Sequence, residues 1–238
     1  MIIARSILFN ILFYLSLLIY LIAALPTFVM PYWAIVELAK VWGRTNLWLL
    51  EAICDIGVEF SGLDKIPPGP LIVAAKHQSF WETFALLPLF AAPVYIVKRE
   101  LMWIPIFGWY MRKGRMIPVD RGAGRQALTG MARRARIELK RGRQIIIFPE
   151  GTRRPPGAPP SYKSGIAHLY ADTGVPCLPI ALNSGLVWGR RSFQRYPGTV
   201  RVEILDPIPP GLDRDAFLGR LQQDIETATA RLMAEPKA

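Results

Sequence analysis

Histidine and cysteine are almost absent from this chain, two of each among 238 residues. The cysteines, Cys54 and Cys177, stand far apart in apolar company. That excludes a disulfide framework and the paired spacing of a zinc site, and it suits a reduced, cytoplasmic-side domain. Acid is scarce as well: 18 Asp and Glu face 29 Lys and Arg, a formal net charge of +11. Such a surplus favours anionic partners, whether lipid headgroups, phosphorylated small molecules or nucleic acid. Nucleic acid is the poorest of these, because no recognition motif accompanies the charge. A mean hydropathy of +0.25 and seven Trp point instead to a protein that touches a bilayer. No internal repeat is visible.

Charge is also missing from one long stretch, everything between Arg5 and Glu37. A continuous helix over that span would be roughly 45 Å long, more than a hydrocarbon core of about 30 Å requires. Pro26 and Pro31 interrupt it. The expectation is an inserted helix over 7–25, a proline bend, and an amphipathic helix over 28–53 lying in the interface. In the second helix Glu37, Lys40, Arg44 and Glu51 recur on one stripe, and Tyr32, Trp33, Trp42 and Trp48 suit the headgroup region. A signal peptide does not fit, since the apolar run is too long and lacks a small-residue cleavage site. Basic residues follow the segment rather than precede it, so the remainder is expected on the cytoplasmic side. The chain divides into membrane helices, 1–53, and a second domain, 54–238.

From residue 57 the pattern becomes short strands alternating with helices. Strands are expected at 57–62, 71–75, 94–98, 115–119, 144–148, 177–182 and 199–204. Apolar stripes mark helices over 125–141 (Leu128, Met131, Ala135, Leu139) and 213–233 (Phe217, Leu221, Ile225, Ala228, Leu232). The fold class is α/β, a largely parallel or mixed sheet covered by helices on both faces.

Ligands of such sheets gather outside the C-terminal strand ends. Three groups fall there: His77 to Glu82, Asp120-Arg121, and Pro149 to Arg153. In "HQSFWE", Glu82 follows His77 by five residues, a rotation of about 140° on a helix, so the two cannot meet within one helix. They meet if His77 ends a strand and Glu82 opens the next helix. The carboxylate would then hold one imidazole nitrogen and leave the other to take a hydroxyl proton. Ser79 and Glu82 equally form a capping box, which needs no chemistry. The stretch alone supports both. In "FPEGTRR" a strand ends in a tight turn with a hydroxyl and a guanidinium, a fair seat for phosphate or an ordinary solvated turn.

Together these residues resemble the glycerolipid acyltransferase family of the 1-acylglycerol-3-phosphate O-acyltransferase type. The motif of a histidine, four residues and an acid is His77 to Glu82, with Glu82 standing where the family has Asp. The second, glycine to arginine, is "GRMIPVDR", ending at Arg121, with Arg115 inserted after Gly114. "FPEGTR" is complete from Phe148 to Arg153, and "VPCLPIAL" carries Pro179. "KREL" and "YKSG" fit segments between the motifs.

The resemblance implies transfer of a fatty acyl group from acyl-CoA or acyl carrier protein to lysophosphatidic acid, forming phosphatidic acid at a membrane phospholipid surface. It implies His77 as general base and Glu82 as its orienting partner. Lys98, Arg121, Glu150, Gly151, Thr152 and Arg153 would hold the glycerol phosphate. Neither a metal nor a cofactor beyond the thioester co-substrate is implied. Two alternatives stay open: another lyso-lipid acceptor such as an aminolipid, and a non-catalytic module binding anionic lipid through Arg133, Arg136, Lys140 and Arg141.

Overall fold

The computed structural model describes residues 1–120, 122 and 124–235. Its strands are β1 (Ile56–Ser61), β2 (Leu71–Ala75), β3 (Pro93–Lys98), β4 (Ile117–Val119), β5 (Gln144–Ile147), β6 (Cys177–Leu182) and β7 (Gly198–Ile204). They form one sheet in the order β1-β7-β6-β2-β5-β3-β4. Only β6 and β7 run antiparallel; the other neighbours are parallel. The expected α/β sheet is present.

β2 explains the layering. All five of its residues are buried, as a central strand of a parallel sheet requires. Side chains alternate along it, so Leu71, Val73 and Ala75 enter one core and Ile72 and Ala74 the other. The second core is closed by α5 (Gly124–Leu139), α6 (Gly165–Thr173) and α7 (Arg214–Ala234). The predicted stripes Met131, Ala135, Leu139 and Phe217, Leu221, Ile225 are the faces that pack. Asp213 caps α7, accepting from the N–H groups of Asp215 and Ala216.

The first core is closed by a helical hairpin: α1 (Ile2–Ala23), a 3-10 turn at Leu25–Phe28, and α2 (Tyr32–Cys54), with the short α3 (Glu82–Ala85) beneath. The proline bend forms where expected, and α1 starts at Ile2, earlier than the sequence pattern suggested. α1 turns Ser6, Phe9, Phe13 and Ser16 inward and leaves Ile7, Ile11, Leu15, Leu18 and Ile22 exposed. Phe13 lies 5.5 to 6.4 Å, centroid to centroid, from Trp42, Phe80, Phe84 and Trp188. Arg195 stacks on Trp188 at 3.7 Å and bonds to Asn10 at 2.9 Å, with burial lowering its guanidinium pKa to about 10. The hairpin is therefore docked along its length.

α2 is the inner helix of the pair, between α1 and α3. Lys40, expected on an interfacial stripe, is buried and donates to Glu37 at 2.7 Å and to the Ala91 carbonyl. Glu37, Arg44 and Glu51 of the same stripe stay exposed, and Lys40 alone is covered because it lies where α2 packs on the Ala91 backbone. Of the basic face, Arg133 and Arg136 belong to α5 and Lys140 to the turn after it, with Arg136 paired to Asp172 at 3.3 Å; α5 packs on the core opposite the hairpin.

α2 meets α3 at Gly43, where an added Cβ would stand 2.6 Å from the Phe84 carbonyl oxygen. A glycine-to-alanine change in a helix ordinarily stabilises by roughly 0.5–1 kcal/mol. Here the sign should reverse. Gly43→Ala is expected to destabilise by about 1–3 kcal/mol, as overpacked cores do, lowering the thermal midpoint of the full chain by several degrees. An unchanged or raised midpoint would show that α2 does not press on α3.

Candidate active site

β2 pairs with β5 through Ala74 and Ile147, so the residues leaving the two strand ends emerge side by side. The link is explicit: the Arg154 N–H donates to the His77 carbonyl at 2.8 Å. The imidazole of His77 stacks on Phe148, centroids 3.9 Å apart and planes 13° from parallel. Phe148 is itself backed by Tyr95 at 5.9 Å. The ring is thus held flat at the junction of two strands, with its side chain 13% exposed.

Glu82, in the first turn of α3, has no exposed surface. Its carboxylate accepts from the N–H of Gln78 at 3.2 Å, from the N–H of Ser79 at 3.0 and 3.1 Å, and from the Ser184 hydroxyl. Its Oε2 also lies 3.4 Å from His77 Nδ1, a buried nitrogen with no aligned hydrogen bond. A contact this long is usual between catalytic partners before substrate arrives. Half of the expected capping box is formed, Glu82 accepting from the Ser79 N–H; Ser79 Oγ accepts from the Trp81 N–H at 3.2 Å and not from the Glu82 N–H, and α3 starts at Glu82 without a side-chain cap. The two readings of "HQSFWE" coexist on one carboxylate.

The turn after β5 supplies the other half. Gly151 has φ +67°, a conformation that favours glycine, and its N–H returns to the Phe148 carbonyl at 2.9 Å. Thr152 is exposed and Arg153 half-buried, and Arg153 has no ion pair among the described residues. Glu150 instead faces inward, buried, with Lys76 Nζ at 3.2 Å. Lys76 also contacts Glu226 of α7 at 2.6 Å, and Tyr162 donates to Glu226 at 2.9 Å. Burial holds the Glu150 carboxyl above the usual carboxylate range, with Lys76 opposing the rise. Burial and the neighbouring acids push the Tyr162 phenol well up. Glu150 anchors the turn from below rather than opening to a ligand.

The site thus brings His77, Glu82 and the Gly151–Arg153 turn together. Lys98 sits farther out, exposed at the end of β3, 3.3 Å from Glu100. Arg121 lies outside the described residues; the adjacent Asp120 pairs with Arg99 at 2.8 Å. The sequence reading missed Lys76, Phe148 as the ring platform, Ser184, Tyr162 and Glu226. Lys76 did leave a trace, a lone cation closing the apolar run "LIVAAK".

The Acyltransferase family model matches residues 57–183, more than half of the chain. A 1-acyl-sn-glycerol-3-phosphate acyltransferase of Pseudomonas aeruginosa is 36% identical over 82% of this chain and 76% of its own length. The chain belongs to this acyltransferase family. The human 1-acyl-sn-glycerol-3-phosphate acyltransferase alpha is 30% identical over 70% of this chain and 60% of its own length. The crystal structure of the 1-acyl-sn-glycerophosphate (LPA) acyltransferase PlsC from Thermotoga maritima superposes with a TM-score of 0.81 at 26% identity, covering 100% of both chains. Hairpin and α/β body are shared together.

Two variants separate the structural from the chemical role of Glu82. Every group around its carboxylate is a donor, so Glu82→Gln turns an amide N–H₂ toward another donor. A loss of about 1–3 kcal/mol in stability is expected, with a rate loss of a hundredfold or more from the missing charge. Ser184→Ala removes one donor only and should cost stability with far less effect on rate. Thermal midpoints and turnover measured on both decide the matter. Equal rate losses at equal stability losses would leave Glu82 a structural residue alone.

Proposed function

We propose that this protein transfers a fatty acyl group from an acyl thioester to the free hydroxyl of 1-acylglycerol 3-phosphate, forming phosphatidic acid. The observation that carries this is His77, backed by a buried carboxylate and stacked beside a turn whose Arg153 guanidinium has no ion pair among the described residues. Relatives named for this activity support it.

The chemistry follows from the residues. The acceptor hydroxyl approaches His77 Nε2, the nitrogen away from Glu82, and gives up its proton as its oxygen attacks the thioester carbonyl. Glu82, fixed by its backbone and Ser184 donors, stabilises the imidazolium that results. Collapse of the tetrahedral intermediate expels the thiolate, which recovers the proton from His77. Among the described residues no exposed serine or cysteine stands beside a partnered base, Ser184 being fully buried, and this supports direct transfer with both substrates bound at once. Arg153 meets the acceptor phosphate through its fork, with Thr152 and the turn glycine Gly151 at its side. Lys98 and Arg121 are secondary contacts for the phosphate. Acyl-CoA and acyl carrier protein both carry the required thioester.

α1 is long and apolar enough to cross a membrane, yet its inner face is committed to the body. It lies in one leaflet, exposed stripe toward lipid, with the body on the cytoplasmic side and the lipid acceptor reaching the site laterally.

Purified protein in detergent, lysophosphatidic acid and a labelled acyl thioester should yield labelled phosphatidic acid. His77→Ala is expected to lower turnover about a hundredfold to ten-thousandfold. Arg153→Lys should raise KM for lysophosphatidic acid more than KM for the thioester, because lysine keeps the charge and loses the fork. An active His77→Ala enzyme would overturn the base assignment; an effect of Arg153→Lys confined to the donor would reassign that residue.

A further inference from the structure

Between β3 and β4 the chain makes a 3-10 turn (Arg99–Trp103), a tight bend, and the helix α4 (Phe107–Lys113). This segment is unusually apolar on its outside. Leu101 is 37% exposed, Trp103 61%, Ile104 44%, Ile106 45% and Trp109 52%. Ile106 adopts φ +66°, a left-handed conformation that a β-branched residue rarely takes. Gly108 seals the bend, since a Cβ there would stand 2.3 Å from the Met102 carbonyl oxygen. The bend is rigidly built and leaves its apolar side chains in solvent, a combination that packing within the chain does not explain.

The segment is fastened to the tip of the hairpin. Tyr110 stacks on Phe28 at 4.7 Å and donates to the Leu21 carbonyl at 2.7 Å. Lys113 donates to the Phe28 carbonyl at 3.0 Å. The exposed tip residues Leu25, Val29, Met30 and Trp33 therefore continue into the 101–109 surface. Behind the apolar residues is a cavity of about 420 Å³ lined by Arg99, Arg112, Arg115, Arg134 and Glu138. Arg99 pairs with Asp120 and Arg115 with Glu138, while among the described residues Arg112 and Arg134 meet only the Met102 and Pro118 carbonyls. Arg99 lies over the Trp103 ring at 5.4 Å. Aromatic and branched side chains outermost, with guanidiniums immediately behind, match the depth profile of a bilayer with anionic headgroups.

We propose that residues 101–109 are a second membrane-inserting element, coplanar with the hairpin tip, whose arginine-lined cavity receives the phosphate of an anionic phospholipid. The inference rests on the membrane reading of the hairpin given above. It assigns the electrostatic contact to this cavity, to which α5 contributes Arg134 and Glu138, rather than to Arg133, Arg136 and Lys140. It also gives the enzyme a fixed tilt, because two attachment regions, one at each end of α4, define a plane where a single helix does not.

The test uses the full chain with an environment-sensitive fluorophore at Leu18→Cys (hairpin), Ile104→Cys (new element) or Gln223→Cys (exposed on α7). Cys54 and Cys177 are buried and the unsubstituted chain controls for their labelling. On vesicles of phosphatidylcholine with phosphatidylglycerol, the Leu18 and Ile104 probes should both shift to the blue and the Gln223 probe should not. A shift at Leu18 alone would overturn the proposal and leave the hairpin reading standing; no shift at either would overturn both. In a second arm, Trp103→Ser/Ile106→Ser/Trp109→Ser should weaken partitioning into these vesicles at least about tenfold, with an unchanged thermal midpoint. The advantage of phosphatidylglycerol over pure phosphatidylcholine should shrink in Arg112→Gln/Arg134→Gln, and an undiminished advantage would overturn the cavity's role. If the triple variant instead dissociates a dimer and partitions normally, the patch is an interface between two copies and the proposal fails.

Discussion

A carboxylate removed from water has to be surrounded by donors, and Glu82 imposes that requirement on everything near it. Its partners come from two places: the loop leaving β2, which supplies the His77 ring and the Gln78 and Ser79 N–H groups, and Ser184 just past β6. They can converge only because β2 is the neighbour of both β5 and β6 in the sheet. The pairing of Ala74 with Ile147 and Pro179 sets the relative height of the three strand ends. A slip of one residue in either pairing would turn the loop to the other face and leave a buried charge without partners. Strand register, a backbone property, is thus what makes the His77–Glu82 pair available.

The same alternation builds a second buried charge cluster on the opposite side. Lys76 and His77 are consecutive, so they leave β2 toward different layers. Lys76 reaches Glu150 and Glu226, while His77 meets Glu82 and Phe148. Breaking a buried ion pair by removing one partner costs several kcal/mol, of the order of 3–5. The turn that carries Thr152 and Arg153 is accordingly clamped through Glu150. The phosphate contact proposed for Arg153 would gain from this arrangement, because a fork-shaped ligand contact demands a fixed backbone.

Much of this architecture was legible in the sequence because it is local. Strands β1 to β7 announced themselves through short apolar runs bounded by Gly and Pro, and α5 and α7 through stripes such as Met131-Ala135-Leu139. The four-residue α3 and seven-residue α4 left no such trace, since a periodicity of 3.6 needs more than two turns to show. Lys40 misled for a different reason. Helical spacing tells which residues share a face, and only the neighbour packed there tells whether that face is wet.

His77, Glu82 and the 151–153 turn were nameable from their order along the chain, because the motifs are contiguous and carry their chemistry in residue type. The sequence by itself therefore determined the fold class, the apolar hairpin and the residue proposed here as the base. Tertiary structure alone decided that Glu150 serves Lys76, that Ser184 completes the shell of Glu82, and that residues 101–109 meet the hairpin tip. Each of these depends on contacts between residues dozens of positions apart. Spacing along a chain carries no information about such contacts until strand order and helix docking bring the partners within a few ångströms.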